Sequence, residues 1–151
     1  GPMLFKEYYK LPEKTAAAFR DGWFSAGDMA TRDEDGFYQI VDRKDNMIIT
    51  GGENVYPSEI EEVIGSHECV FDCAIVGLPD DKWGEKVAAV VVRKPGLDES
   101  KINEDTIRQC CQSKMAGFKR PKEIIFIDED EMPRTPTGKI LHRKLREKFR
   151  K

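Results

Sequence analysis

The feature that most constrains the fold is an unbroken apolar run, Val87-Ala-Ala-Val-Val-Val92. This run is far shorter than the 18 or so apolar residues that a membrane span needs, and its β-branched valines favour a strand. A strand with no polar residue on either face must be buried on both sides. The run therefore predicts an interior strand of a sheet whose two faces are both covered.

Other segments around this run predict an α+β fold. Short apolar segments predict further strands, at residues 47–50, 70–78 and 124–127. Helical periodicity predicts one helix after Ser58, which has capping-box spacing to Glu61, and another over residues 104–114. A last helix is predicted from one apolar face, formed by Ile140, Leu141, Leu145 and Phe149. Helices that interleave with a few strands indicate one small sheet with packed helices.

The first part of the chain has no such core. Residues 11–19 predict a helix behind a proline, and residues 37–41 predict a strand after a turn. Neither element is accompanied by enough apolar sequence to bury it. Residues 1–41 therefore resemble the edge of a larger domain.

Composition excludes several classes of protein. The chain has 151 residues, 39% apolar and 35% charged, with a net charge of −3. We expect a soluble, cytoplasmic protein, because no apolar run has the length of a membrane span and no signal peptide heads the chain. The net negative charge gives no general reason to expect nucleic acid as a partner. Neither His67 nor His142 has zinc-site spacing to the four cysteines, so we expect reduced, buried thiols and no metal site.

A proline-rich loop places a lysine near the end of the chain. In Met132-Pro-Arg-Thr-Pro-Thr-Gly-Lys139, two prolines and a glycine oppose regular structure just ahead of the lysine. A cation on such a loop suits phosphate chemistry, and a solvated surface lysine is the alternative. A nucleotide-binding P-loop is excluded, because Pro133 and Ile140 stand where that motif needs glycine and Ser or Thr.

A second, longer block upstream carries a family resemblance. It reads Asp42-Arg-Lys-Asp-Asn-Met-Ile-Ile-Thr-Gly-Gly-Glu-Asn-Val-Tyr-Pro-Ser-Glu-Ile-Glu61. Three shorter motifs accompany it: Gly27-Asp28, Trp83-Gly84-Glu85 and Pro136-Thr-Gly-Lys139. With these motifs the whole chain resembles the C-terminal part of the adenylate-forming enzymes, which include acyl-CoA synthetases, peptide-synthetase adenylation domains and luciferases. The resemblance implies that residues 1–41 end a large AMP-binding domain, that residues 42–46 form a hinge, and that residues 47–151 form a mobile lid domain.

The resemblance also implies which residues serve the nucleotide. Lys139 matches the catalytic residue that neutralises carboxylate and phosphate oxygens. Lys139, Asp28 and Arg43 would together contact ATP. Asp28 would accept hydrogen bonds from the ribose hydroxyls. The alternative is that Asp28 only helps to form a turn after Gly27. An ordinary salt bridge at a strand end is the alternative for Arg43. Asp45 matches the hinge.

A further set of residues matches the CoA site of the family. Gly51, Gly52 and Glu53 match a loop that lines the pantetheine tunnel, and a simple turn is the alternative. Trp83 matches a position near the CoA nucleotide and is equally consistent with a core tryptophan. Lys119 and Arg120 would be available for CoA phosphates, and solvated charge is the alternative.

The function implied by the resemblance is that of an ATP-dependent acyl-CoA ligase. ATP with Mg²⁺ and CoA would be its co-substrates, and the Mg²⁺ would be held mainly by the large N-terminal domain of the same polypeptide. Asp42 replaces a glycine that many relatives have, a variant typical of fatty and aromatic acid CoA ligases. We therefore expect a fatty acid substrate, with an aryl acid as the alternative, and no activity from this chain alone.

Two other functions remain open from the sequence. One is a peptide-synthetase adenylation domain, which a carrier domain after Lys151 would favour. The other is a stand-alone binding module whose basic tail docks on a partner or on nucleic acid, because residues 139–151 hold seven Lys or Arg against only Glu147.

Overall fold

The computed structural model describes residues 1–97 and 102–150, so Lys151 of the basic tail lies outside the described residues. The chain divides into two compact units, Gly1–Asp45 and Asn46–Lys151. The division falls inside the segment 42–46 that we predict to be the hinge. The hinge itself, and the assignment of residues 1–41 to a larger domain, stay predictions.

The first unit consists of one short helix and two small hairpins. Helix α1 spans Pro12–Ala18, strands β1 and β2 are Phe19–Arg20 and Trp23–Phe24, and strands β3 and β4 are Asp28–Arg32 and Tyr38–Arg43. The strands pair antiparallel, β1 with β2 and β3 with β4. None of residues 1–45 is buried, and several large apolar side chains are exposed, among them Trp23, Phe37, Tyr38 and Ile40.

The second unit has the predicted α+β architecture. Its strands are β5 (Ile48–Thr50), β6 (Glu53–Val55), β7 (Val70–Asp80), β8 (Gly84–Arg93) and β9 (Glu123–Ile127). Its helices are α2 (Pro57–Gly65), α3 (Glu104–Gln112) and α4 (His142–Phe149). β8 pairs antiparallel with β7 along its length, parallel with β9, and with β5 only at Thr50 and Gly84. β6 pairs with β5, which completes a mixed sheet of five strands.

The central strand is buried on both sides, as its sequence predicts. Val87, Ala89 and Val91 of β8 pack in one cluster with residues of α2 and α3, including Ile60 and Ile107. The alternate residues of β8 pack on the opposite face with Leu145 of α4, and they are Ala88, Val90 and Val92. The period of two along the strand thus divides the core into two layers.

Two details of the helix boundaries differ from the sequence-based expectation. The capping box at Ser58 and Glu61 is wrong, because α2 begins at Pro57 with Tyr56 as its N-cap. A proline is well suited to this first position, since its missing N–H would be unpaired there anyway. Ile140 and Leu141 precede α4 rather than forming its first turn. Ile140 instead forms an antiparallel bridge with Arg134.

The four cysteines are free thiols, of which Cys110 is half-buried and the others are buried. Burial raises the pKa of Cys73 from 9.0 to about 12 and that of Cys111 from 9.0 to about 11. Both therefore remain protonated near neutral pH. Among residues 1–97 and 102–150, no helix is long and apolar enough to cross a membrane, and no group of acidic, His or Cys residues could hold a metal ion.

Candidate functional site

Lys139 lies on a hairpin formed by residues 133–141, which we call the lysine hairpin. The Leu141 N–H donates to the Pro133 carbonyl at 2.8 Å, and the Thr135 N–H donates to the Lys139 carbonyl at 2.8 Å. The Lys139 N–H in turn donates to the Thr135 hydroxyl at 3.1 Å. The segment predicted as an irregular loop therefore has an ordered backbone. Pro133 takes part only as an acceptor, through its carbonyl, so the missing N–H of proline does not disturb the hairpin.

The side chain of Lys139 is exposed at the end of this hairpin. Within the described part of the chain, its ammonium group has no hydrogen bond or ion pair. Other cations of the same unit are paired, for example Lys86 with Glu123 at 2.8 Å and Lys148 with Glu131 at 2.7 Å. Hydrogen bonding to these partners raises the pKa of Lys86 and lowers the pKa of Glu131. The Lys139 charge is thus left available for an external anion.

The second candidate region is the turn between β5 and β6. Gly51 and Gly52 occupy this turn with φ angles of +60° and +87°, a backbone region that favours glycine. The Gly51 N–H donates to the Trp83 carbonyl at 2.9 Å, and a Cβ on Gly51 would lie 2.8 Å from the Trp83 ring. Gly51 therefore allows the backbone to lie directly against the indole. The carboxylate of Glu85 accepts the Ile49 N–H at 2.9 Å and holds β5 in place.

A cavity of about 250 Å³ opens beside this turn. Its walls include two partly exposed aromatic side chains, Trp83 and Phe118, which are 45% and 38% exposed. We call it the Trp83–Phe118 cavity, and it is lined by Thr50, Gly51, Glu53, Trp83, Gly117, Phe118 and Lys122. Aromatic walls with a nearby cation suit a flat, anionic ligand. The cavity therefore brings together Gly51, Glu53 and Trp83 of the predicted CoA site.

Gly52, also predicted for the CoA site, lies in the same turn but does not line the cavity. The other two predicted CoA residues, Lys119 and Arg120, are engaged with the protein itself. The Lys119 ammonium contacts both carboxylate oxygens of Glu59, at 2.7 and 2.8 Å. The Arg120 guanidinium donates to the carbonyls of Gln112 and Met115, at 2.7 and 3.2 Å, where α3 ends. Neither residue lines the cavity. Lys122, which does line it, was not predicted.

In the first unit, the two residues predicted to bind the nucleotide are neighbours. Asp28 and Arg43 face each other across β3 and β4, and Arg43 Nε lies 3.2 Å from Asp28 Oδ1. The Arg43 side chain is 60% exposed, which leaves much of its guanidinium accessible. Asp45, the predicted hinge residue, lies just beyond β4 in a short 3₁₀ turn, Lys44–Asn46.

Within the second unit, the lysine hairpin and the Trp83–Phe118 cavity lie at opposite ends of β7. Arg134 of the hairpin pairs with Asp72, near the start of the strand. Asp80, at the end of the strand, accepts the Trp83 N–H at 2.9 Å. The stretch from Asp72 to Asp80 spans roughly 25 Å at a rise of about 3.3 Å per residue.

Comparison with known proteins gives the arrangement a family. The family model described as the AMP-binding enzyme C-terminal domain matches residues 59–139, more than half of the chain. The chain belongs to this family. The match runs from the first turn of α2 to Lys139 of the lysine hairpin. The family resemblance and the small α+β fold predicted from the sequence are both confirmed.

Relatives of this AMP-binding C-terminal domain are parts of longer proteins. A long-chain-fatty-acid–CoA ligase, FadD13 of Mycobacterium tuberculosis, is 47% identical over 97% of this chain and 28% of its own length. A feruloyl-CoA synthase of Amycolatopsis sp. is 44% identical over 99% of the chain and 29% of its own length. The chain thus spans less than a third of the length of these curated relatives.

A solved structure shows the same fold. The ATP-bound MatB of Rhodopseudomonas palustris is 41% identical and superposes with a TM-score of 0.86. The match covers 99% of this AMP-binding C-terminal domain chain and 29% of the MatB chain.

Sequence reasoning missed five residues that the fold places at the candidate sites: Thr50, Gly117, Phe118 and Lys122 line the cavity, and Arg134 holds the lysine hairpin. Phe118 and Lys122 join the cavity from the segment between α3 and β9, far from Trp83 in sequence. No local pattern identified them, since their relation to Trp83 exists only in the folded domain. Arg134 was also missed, although it lies within the quoted lysine motif.

Proposed function

We propose that this chain is the C-terminal part of an ATP-dependent acid–CoA ligase of the adenylate-forming type. Residues 1–41 would complete the large N-terminal domain of the same polypeptide, and residues 47–151 would form a lid that turns about the 42–46 hinge. The family assignment supports this proposal, as do relatives named as CoA ligases whose chains are more than three times as long. On this proposal the isolated chain activates no acid, because most of the enzyme is missing.

In the first half-reaction, a carboxylate oxygen of the acid attacks the α-phosphorus of ATP, and pyrophosphate leaves. Lys139 is proposed to neutralise negative charge on the carboxylate and phosphate oxygens as they approach each other. Its ammonium group is exposed and has no partner among the described residues, which supports this role. Asp28 would accept hydrogen bonds from the ribose hydroxyls, and Arg43 would contact the nucleotide. Mg²⁺ would accompany ATP and be held mainly by the large domain.

In the second half-reaction, the sulfur of CoA attacks the acyl carbonyl carbon, and AMP leaves. The Trp83–Phe118 cavity is proposed to take the adenine of CoA, because a flat base gains about 1–3 kcal/mol by stacking on an aromatic side chain. Gly51 and Gly52 would line the path of the pantetheine arm beside Glu53. Lys122 would supply a cation within the cavity, while Lys119 and Arg120 would meet CoA phosphates at its margin.

The observation that carries the proposal is the placement of these two sites at opposite ends of β7. One reaction centre cannot adjoin both ends at the same time, because roughly 25 Å of rigid strand separates them. A lid that turns between the half-reactions would present each end in its own step. Asp45 lies where the two compact units divide, which suits the hinge.

A long-chain fatty acid is the proposed substrate, because FadD13 has the higher identity of the two curated relatives described above. An aryl acid is the second candidate, since the feruloyl-CoA synthase matches almost as well. The acid would bind in the large domain, which would select it. The protein is proposed to act in the cytoplasm.

The test uses Lys139→Ala in the full-length ligase. We expect ATP–pyrophosphate exchange to fall by on the order of 100-fold or more, since one positioned charge is lost. Thioester formation from CoA and supplied acyl-adenylate should be retained. The matched control is Lys144→Ala, which removes an exposed lysine of α4 and should affect neither reaction. Equal loss of both half-reactions in Lys139→Ala would contradict the separate roles.

A further inference from the structure

Arg134 is the residue that connects the lysine hairpin to the sheet. Its Nη1 donates to the Gly138 carbonyl at 3.0 Å, and its Nη2 forms an ion pair with the Asp72 carboxylate of β7. The Arg134 and Asp72 side chains are 34% and 26% exposed, so the pair is partly shielded from solvent. Arg134 thus holds the peptide group directly before Lys139 against an interior-packed strand.

Only a guanidinium group suits these two contacts together. Arginine presents donors in a planar fork, so one side chain can bind a carboxylate and a carbonyl in different directions. A lysine ammonium is a single point of charge that reaches one partner well. The fork fixes the Gly138 carbonyl, and the orientation of that peptide group sets the direction in which the Lys139 side chain leaves the backbone.

The tip of the lysine hairpin is hydrogen-bonded within itself but has little packing around Gly138. Gly138 has a φ angle of +86°, and no atom lies within 4 Å of the position that a Cβ would occupy. The hydrogen bonds that close the turn, such as that from the Gly138 N–H to the Thr135 carbonyl at 2.9 Å, all lie within the hairpin and fix its shape, not its orientation on the sheet. Without side-chain packing at the tip, a contact from the sheet is needed to keep the turn in one orientation.

His142, the residue that follows the hairpin, is connected to the same strand through Glu61 of α2. His142 Nε2 lies 2.7 Å from Glu61 Oε1, and that oxygen also accepts the Ile75 N–H of β7 at 2.9 Å. The two arms are therefore fixed at Asp72 and near Ile75. Of these two anchors, Arg134 and His142, only Arg134 also contacts the turn, through the Gly138 carbonyl.

We propose that Arg134, held by Asp72, is a positioning residue for Lys139 in adenylate formation. This inference rests on the proposed function, because it concerns the step assigned to Lys139. Arg134 is not assigned any contact with substrate. It acts by aiming the Lys139 ammonium, and loss of that aim affects the first half-reaction while leaving the Trp83–Phe118 cavity intact.

The test measures both half-reactions in the full-length ligase carrying Arg134→Ala. We expect kcat for adenylate formation to fall on the order of 10- to 100-fold, as for other displaced catalytic groups. KM for ATP and thioester formation from supplied acyl-adenylate should stay unchanged. Arg134→Lys keeps the charge but loses the fork, so its loss should be intermediate. Arg143→Ala removes an exposed ion pair with Glu147 on α4 and is the matched control.

A double variant separates positioning from other roles. If Arg134 acts only through Lys139, adding Arg134→Ala to Lys139→Ala should cause no further loss of adenylate formation. A further loss, or an equal loss of both half-reactions, would overturn the proposal. Should Arg134→Ala lower the thermal midpoint enough to unfold the protein, the same comparisons in Arg134→Lys and Asp72→Asn decide the question.

Failure of this inference is distinguishable from failure of the proposed function. Wild-type adenylate formation in Arg134→Ala, together with a large loss in Lys139→Ala, would remove the role of Arg134 alone. Wild-type adenylate formation in Lys139→Ala would remove the assigned role of the lysine, and the role of Arg134 with it.

Discussion

Gly51 is the position where one added methyl group tests the candidate CoA site most directly. In Gly51→Ala the Cβ would meet the Trp83 ring at 2.8 Å, so we expect the indole to be displaced. The fluorescence of Trp83, recorded in a Trp23→Phe background, should shift in wavelength. Gly52→Ala is the matched control, because nothing lies within 4 Å of its Cβ position.

The control separates contact from backbone strain. Both glycines have positive φ angles, so each substitution costs on the order of 1–3 kcal/mol of stability. Only Gly51→Ala should also move the emission of Trp83. An equal shift in both variants would mean that the indole responds to the turn conformation rather than to the contact.

Buried thiols give a second prediction at the residue scale. Burial raises the pKa of Cys73 from 9.0 to about 12, so the unfolded chain loses this proton first as pH rises. Stability from this group is therefore complete below pH 9 and declines between about pH 9 and 12. We expect the urea midpoint to fall from pH 7 to pH 10, and the fall to be smaller in Cys73→Ala. An identical fall in both proteins would exclude this contribution.

Residues within contiguous motifs were accessible from the sequence, whereas residues joined by tertiary contacts were not. Asp28 and Lys139 could be proposed from the sequence because each stands inside a recognisable motif, and the fold pairs Asp28 with Arg43. Phe118 and Lys122 reach the Trp83–Phe118 cavity only because β8 lies between their segment and β7. Such a relation depends on strand order, which local patterns do not contain.

At the scale of elements, Glu61 ties α2 and α4 to the edge of the sheet. Its carboxylate accepts the Ile75 N–H and contacts His142. Glu61→Ala should leave the Ile75 N–H without a partner and destabilise the chain by about 1–3 kcal/mol. In urea unfolding, the midpoint should fall while the slope stays unchanged.

The neighbouring acid provides the matched control. Glu62 is exposed on the same helix, so Glu62→Ala should change the free energy of unfolding by no more than about 0.5 kcal/mol. If the two variants lose the same stability, the effect belongs to helix α2 in general and not to the contacts of Glu61.

Long apolar strands were predicted well, whereas one short strand and the start of the last helix were not. The strands predicted at residues 70–78 and 87–92 appear as β7 and β8, because a continuous buried run leaves few alternatives. β6 was missed, since three residues after two glycines carry no measurable alternation. Ile140 was assigned to the last helix by its spacing, but the turn at Gly138 reverses the chain and pairs it with Arg134.

At the scale of the whole molecule, stability is concentrated in the second unit. Every buried residue of the described chain lies after Asp45, and both core clusters lie in the second unit. We expect residues 46–151 to unfold cooperatively when residues 1–45 are removed. A peptide of residues 1–45 alone should show no cooperative transition. Circular dichroism during heating checks both, and a gradual melt of residues 46–151 would contradict the expectation.

The position of both candidate sites on one strand also has a pharmacological consequence. Because β7 is continuous between Asp72 and Asp80, the two ends of the strand must move together. If the chain acts as proposed, an inhibitor bound between Trp83 and Phe118 would hold the lid in a single conformation. It would thereby block the adenylate formation proposed for Lys139, a residue that it does not contact.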